Sequence, residues 1–366
     1  MSLPKESDFH NLVGFEQYHH EKYPYLTVET NGQQAAVVLY TDIDGTLNPD
    51  FIESKGGKYI LASETDRWSE ENLRFARRTI ALANENSIPV GLASSRALKE
   101  CLNFQETLGV RYQGPIGAED GAGLFLPNDY NPQRYLLDHY RTEAVENGWF
   151  IHTSEIQGLD VFEKVFDALR EMGYEGKFID TLYASRDENL LIRMSAILGH
   201  SNLEHTRGAT TRVASAFLIT YLQDETSYSL RQDAIRLADK AGLISQDYAP
   251  GPLIMRPNRS DKFSVLRLYQ TYLQNRYGIP LLHVIAAGNG RNDIEIAHGL
   301  SDPKEPQITG KMIFMAKSVE GGQVTYGISS EELEHLPKNV LIAPEVGPNG
   351  LIHVDKTIKD VIKLKA

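Results

Sequence analysis

An α/β core built on a parallel sheet, with a smaller α+β unit inserted into it, is the fold this sequence predicts. Three observations predict it. The apolar runs 35–40 (AAVVLY), 88–93 (IPVGLA) and 282–287 (LHVIAA) are short and do not alternate with polar residues, as strands buried on both faces do not. Segments with helical periodicity separate them, the order expected of a parallel sheet. Over 126–250 that pattern gives way to a mixture of helix and strand signals. The core then comprises 1–125 and 251–366, the insert 126–250, and the first 34 residues form a polar, aromatic-rich arm without a clear period.

In chain order, the arm carries His19-His20, which reads as solvated surface. The strand 35–40 follows, then a helix in WSEENLRFARRTIALANEN, where Leu73, Ala76, Ile80 and Ala83 recur at helical spacing behind Ser69 as a weak cap. After the strand 88–93, the stretch Ala118-Glu-Asp-Gly-Ala-Gly reads as a turn entering the insert. Within the insert, 161–173 (VFEKVFDALREMG) and 229–243 (SLRQDAIRLADKAGL) read as helices, and 190–198 (LLIRMSAIL) and 215–222 (SAFLITYL) as strands. The loops PNDYNPQ and SQDYAPGP suit hinges. A helix over 264–278 closes at Gly278 before Pro280 and leads into the strand 282–287.

Composition narrows the function. With 37 Lys and Arg against 49 Asp and Glu, the 366-residue chain carries a formal net charge of −12. It would be repelled by a phosphate backbone or an anionic membrane, and holds a phosphorylated small molecule only where the site supplies its own cations. A hydrophobic content of 41% excludes a disordered chain. Cys101 is the sole cysteine, so no intrachain disulfide can form and no thiolate zinc site of the usual Cys-pair spacing exists. The run 35–40 is far shorter than the roughly 20 residues that span a bilayer, and the start of the sequence lacks a basic-then-apolar leader pattern. A soluble, cytoplasmic protein is expected.

The strongest chemical signal is Asp42-Ile43-Asp44-Gly45-Thr46, directly after the first strand. Residues two apart on a strand point the same way, so Asp42 and Asp44 project together at the strand's carboxyl end, where open α/β sheets bind ligands. Two adjacent carboxylates suit a hard cation such as Mg²⁺. Alone, Asp-Gly after a strand is also an ordinary turn. The next strand ends in Ala93-Ser94-Ser95-Arg96, which offers a hydroxyl and backbone N–H groups to a phosphate, or simply caps a helix. Lys262, at the start of the helix over 264–278, reads as an ordinary solvated lysine or as the cation an acidic protein needs beside a phosphate. Gly288-Asn289-Gly290-Arg291-Asn292-Asp293 follows the third strand and only half matches a dinucleotide-binding glycine pattern. Residues 54–59 (SKGGKY) read as a flap over the site or as an ordinary exposed hairpin.

Together and in this order, DIDGT, Ser94 with Arg96, Lys262 and GNGRND resemble the haloacid dehalogenase superfamily of phosphatases, with the Rossmann-like core and large α/β cap of the subgroup that includes sugar-phosphate phosphatases. Within the insert, Arg212, Ser215 and Phe217 are similar to a cap segment of sucrose-phosphate and mannosylglycerate-phosphate phosphatases that reads A-x-x-R-E-x-S/D-E-P-F; its acidic positions are here Val213 and Ala216. The resemblance implies Asp42 as nucleophile, Asp44 as general acid and base, and Ser94, Ser95, Lys262 and Asn292 as the phosphate cradle. It places Arg212 and Ser215 against substrate from the cap. Mg²⁺ is implied at Asp42, at the main-chain carbonyl of Asp44, and at Asn289 and Asp293 of the fourth motif, although the usual G-D-x-x-N-D has Asn289 in place of its first Asp.

The implied function is Mg²⁺-dependent hydrolysis of a phosphomonoester, a sugar or sugar-like phosphate, through an aspartyl-phosphate intermediate. A phosphohexose mutase-type phosphotransferase shares the chemistry. A catalytically weak sugar-phosphate-binding protein is the alternative that Asn289 and the lost cap acids suggest.

Overall fold

The computed structural model describes residues 20–30, 32–53, 59–62, 64–127, 140–145, 148–153, 160–198, 203–210, 212, 214–221, 224–247, 252–257, 260–320 and 323–364. The strand Gln33–Thr41 lies at the middle of a ten-stranded sheet. Leu281–Gly288 pairs with it in parallel on one side and Val90–Ala93 on the other. Ile308–Ala316 and Val340–Val346 continue the parallel sheet outward past Leu281–Gly288. On the far side Gln113–Ala118 is the last parallel strand; Gly123–Pro127, Gly148–Thr153 and Tyr140–Val145 then follow antiparallel. Thr27–Thr30 folds back on the first half of Gln33–Thr41.

Alternation along the central strands decides which helix covers which face. Val37, Leu39, Ile285 and Ala287 face one layer, where Leu73, Ala76, Ile80 and Ala83 of the helix Glu70–Glu85 pack with Val354 and Ile358 of Leu351–Lys363. Ala36, Val38, Tyr40, Val284 and Ala286 face the other layer, against Leu266, Tyr269 and Leu273 of Ser264–Tyr277. Ser69 caps the first of these helices, its hydroxyl accepting from Asn72 N–H at 3.4 Å. Gly278 ends the last, at the left-handed φ of 69° that glycine adopts freely.

A separate four-stranded antiparallel sheet runs Phe178–Asp180, Ala216–Thr220, Leu253–Pro257, Leu243–Asp247. Helices Asp160–Leu169 and Glu225–Lys240 cover one face through Phe162, Phe166, Leu230 and Ala234. Relative to the expected insert of 126–250, the strands Gly123–Pro127, Tyr140–Val145 and Gly148–Thr153 pair within the ten-stranded sheet, and the second sheet runs on to Pro257.

One predicted element differs in kind. Residues 190–198, expected as a strand, lie in the helix Glu188–Leu198. Asp187 caps it, its carboxylate accepting from the Asn189 N–H at 2.8 Å, and Leu191 and Met194 are buried one turn apart while Ile192 and Ile197 stay exposed. A helix with one narrow buried stripe carries enough apolar residues to read as a strand run.

Of the arm, residues from His20 onward are described; Glu21 pairs with Arg276 at 2.6 Å and Tyr23 packs edge-on to Tyr277. His19, residues 128–133 and 248–251 of the two proposed hinge loops, and flap residues 54–58 lie outside the described residues, although the flanking strands Phe51–Glu53 and Tyr59–Leu61 do pair antiparallel. No helix among the described residues is long and apolar enough to cross a membrane.

Candidate active site

Asp42 follows the last residue of the central strand, its N–H donating to the Ala287 carbonyl at 2.9 Å, so its carboxylate lies where two parallel strands end side by side. The chain turns at once. The amides of Thr46, Leu47 and Asn48 all donate to the Ile43 carbonyl, and Gly45 takes a φ of 71°. A Cβ at Gly45 would overlap the side-chain amide nitrogen of Asn289 and stand 2.6 Å from Asp50 Oδ2, so glycine is required on space as well as on backbone angle.

Lys262 is fully buried between two carboxylates, with its Nζ 2.9 Å from Asp42 Oδ1 and 2.6 Å from Asp293 Oδ1. Burial alone would strip its proton, but Asp293 and Asp42 outweigh that and hold its pKa well above the ordinary lysine value. Asp42 is pushed up by burial and by the charge of Asp293, against the pull of Lys262. The remaining oxygen of Asp293, Oδ2, accepts the backbone amides of Asn289 at 3.0 Å and Gly290 at 2.9 Å, which ties the GNGRND loop to the lysine.

Asp44 is held elsewhere. Arg96 clamps it with both arms of the guanidinium, Nε to Oδ2 at 2.7 Å and Nη2 to Oδ1 at 2.8 Å, while Arg67 adds a contact of 3.3 Å. Burial raises the Asp44 carboxyl, but Arg96 and Arg67 override it and bring its pKa down to about 2. The folded protein therefore holds this proton less tightly than the unfolded chain. The stability this pair contributes is fully present above the ordinary aspartate value of 3.8 and is lost as the pH falls toward about 2. Thermal melts of Arg96→Met should accordingly lie below wild type at pH 6, with the gap narrowing steadily below pH 4; a gap constant from pH 6 to pH 2.5 would show that charge pairing is not its source.

The serine loop is anchored by Ser94, whose N–H donates to the Gly117 carbonyl at 2.9 Å and whose hydroxyl accepts from Arg96 N–H at 3.2 Å. The Ser95 carbonyl accepts from Arg212 Nη2 at 2.7 Å, so the second sheet's entry segment reaches the loop predicted to cradle phosphate. Arg212 Nη1 also donates to Ser215 Oγ at 2.6 Å. Asn292, predicted at the phosphate, donates its side-chain amide to Asp120 Oδ1 at 3.0 Å.

These contacts already occupy the side chains of the four residues predicted at Mg²⁺. Asp42 and Asp293 share Lys262, Asp44 faces Arg96, and the Asn289 side chain hydrogen-bonds to Asp50. Among the described residues no group of three or more His, Cys, Asp or Glu is placed to hold a metal ion. As arranged, the donor set does not fit a divalent cation; the ammonium of Lys262 stands between the two most buried of its carboxylates.

Sequence reasoning missed Arg67, Asp50, Glu119 and Asp120, and gave Arg96 no role of its own. Only Arg96 left a signal, two residues beyond Ser94. Glu119 and Asp120 looked like turn residues but are fully buried, with Asp120 Oδ2 lacking a hydrogen-bond partner among the described residues.

Comparison with solved structures finds this fold in a protein from Thermotoga maritima, at 16% identity over 89% of this chain and 97% of that one, with a TM-score of 0.51. It finds it also in a haloacid dehalogenase-like hydrolase from Bacteroides thetaiotaomicron, at 15% identity over 89% and 99% of the two chains, with a TM-score of 0.50. At such identities the likeness is one of fold: a mostly parallel, Rossmann-like α/β core with flanking helices. No protein-family model and no curated protein matches the sequence.

Proposed function

We propose that this protein hydrolyses a phosphomonoester, a sugar or sugar-like phosphate, with Asp42 as the nucleophile. The observation that carries the reading is the buried Asp42–Lys262–Asp293 triad at the carboxyl ends of the central strands. A carboxylate and an ammonium held in its charged form side by side, next to a loop of serine hydroxyl and amides, suit attack on an electrophile that bears negative charge. The shared fold with a haloacid dehalogenase-like hydrolase supports the same reading.

In the first step an Asp42 oxygen bonds to phosphorus, the bond from phosphorus to the ester oxygen breaks, and that oxygen takes a proton from Asp44. In the second, water gives a proton to Asp44 and attacks phosphorus, freeing phosphate and restoring Asp42. Lys262 balances the charge of the transferring group, and Ser94 with the Ser95 amide orients it. Asp44 carries a proton only once the Arg96 clamp loosens, because in the arrangement described its carboxylate is held ionised. We take the four-stranded sheet and its helices, over 160–257, as a cap that closes on the ester and excludes water.

The same clamp favours a second reading, a sugar-phosphate-binding protein with little turnover. A phosphate-release assay over a panel of sugar phosphates, run with Mg²⁺ and with EDTA, decides between them. Free phosphate supports the hydrolase, phosphate moved between positions of one sugar supports a mutase, and binding without turnover supports the second reading.

The fourth motif gives a separate expectation. Asn289→Asp would set a carboxylate against Asp50 with no added cation, a like-charge contact at a largely buried position. Its melting temperature in EDTA is expected to drop by several degrees, consistent with about 1–2 kcal/mol. Recovery with millimolar Mg²⁺ would locate a cation site at this loop; a drop that Mg²⁺ leaves untouched would place the site elsewhere.

A further inference from the structure

Three consecutive residues of the turn after the strand Gln113–Ala118 lie at positive φ: Glu119 at 57°, Asp120 at 58° and Gly121 at 79°. Two side-chain-bearing residues in succession seldom adopt this conformation, so the surroundings must hold them there. They are held on every side. The Glu119 N–H donates to the Arg96 carbonyl at 3.0 Å and the Asp120 N–H to the Ser94 carbonyl at 2.9 Å. Gly121 lies so close to Asp261 and Lys262 that a Cβ there would overlap the Asp261 carbonyl. The turn is thus fastened both to the serine loop and to the backbone that carries the buried lysine.

From this anchored turn the Glu119 side chain reaches the second sheet. Its Oε2 accepts the Ala214 N–H at 3.0 Å and the Ser215 hydroxyl at 2.8 Å. Because Ser215 gives its proton to Glu119, its oxygen is left to accept from Arg212, and Arg212 in turn reaches the Ser95 carbonyl. The guanidinium also lies over the ring of Phe217 at 3.4 Å from its centroid. Glu119, Arg212 and Ser215 are all buried, so each charge depends on the others rather than on water.

We infer that Glu119 is a positioning residue: its carboxylate fixes the segment 212–215 against the core and so holds the Arg212 guanidinium over the serine loop. The inference rests on the phosphoester reading above and adds to it the group that couples the cap to the phosphate cradle. When the carboxylate becomes a neutral carboxamide, the bonds from the Ala214 N–H and the Ser215 hydroxyl lose their charge assistance, and Arg212 loses the negative charge of Glu119 beside its buried guanidinium. Asp42, Asp44 and Lys262 make no contact with Glu119 among the bonds described, so the chemical step itself stays intact.

The test compares wild type with Glu119→Gln, Arg212→Ala and the double variant, in the full-length chain, on the sugar phosphate of the panel that wild type turns over fastest. Glu119→Gln is expected to raise KM about tenfold with kcat changed less than about twofold, and the double variant to be no worse than Arg212→Ala alone. Losses that multiply in the double variant would overturn the inference, because Glu119 would then act independently of Arg212. Hydrogen exchange supplies a readout independent of activity. A peptide spanning residues 212–217 should exchange about tenfold faster in Glu119→Gln, with the strand Leu281–Gly288 unchanged. Faster exchange throughout the chain would make Glu119 a general support of the fold, and unchanged exchange would show that it does not hold the segment; either overturns the inference. If wild type hydrolyses no ester, the hydrolase reading falls and the exchange comparison alone decides whether Glu119 holds Arg212 in place.

Discussion

Asp42→Asn is expected to abolish phosphate release, by about 10³-fold or more, while leaving a folded protein that still binds the ester. The carboxamide cannot form the acyl-phosphate bond, and no other carboxylate takes its place: Asp293 is committed to Lys262 and two backbone amides, and Asp44 to Arg96. Folding should survive because the buried ammonium keeps Asp293, its closer partner. Binding should hold or tighten, since the substitution removes a negative charge that repels the incoming phosphate. Steady-state phosphate release and calorimetric titration with the same sugar phosphate measure the two halves of this expectation. Turnover within tenfold of wild type would eliminate Asp42 as the nucleophile, and lost binding with the fold intact would mean that its charge, not its nucleophilicity, is what the site uses.

The second large effect is on stability. Lys262→Met replaces a fully buried ammonium with an apolar chain of similar length and leaves Asp42 and Asp293 facing each other without a cation. Removing one partner of a buried ion pair costs about 3–5 kcal/mol, because the remaining charge has neither water nor a counter-ion. Denaturant unfolding should report a loss of that order at pH 7. The loss should shrink at pH 5, where the unpaired carboxylates take up a proton more readily, since without Lys262 burial and mutual repulsion are unopposed. Adding Asp42→Asn to Lys262→Met should recover part of the stability, as removing one of two repelling charges must if the triad acts as a unit. A double variant less stable than Lys262→Met would show that the two residues contribute separately.

The α/β order was legible because it rests on local pattern. The unalternating runs of the central strands, the three- and four-residue spacing of Leu73, Ala76, Ile80 and Ala83, and Gly278 at a helix end each encode their structure within a few residues of themselves. The helix Glu188–Leu198 was misread for the same reason: local pattern is all a sequence offers, and an apolar stretch with one buried stripe satisfies two patterns until its packing partners are known. At the site, the residue types were legible wherever they follow a strand end, as Asp42, Ser94 and the GNGRND loop do. Glu119 and Asp120 were not, since a short acidic-glycine stretch looks the same whether it is solvated or buried.

The sequence by itself determined that two carboxylates, a serine loop, one lysine and a glycine-rich acidic loop lie at the ends of parallel strands, because side-chain alternation and strand direction follow from the order of residues alone. Only the tertiary structure decided how their charges pair. Lys262 meets Asp42 across 220 residues of chain and Asp293 across 31, and Arg96 closes on Asp44 across 52. Such pairs depend on distances through space and on the exclusion of water, and neither is written in the spacing of residues along the chain. The same fact settles why the carboxylates among the predicted metal ligands are already paired: an ammonium and two guanidinium groups, brought in by the fold from distant segments, reach them first.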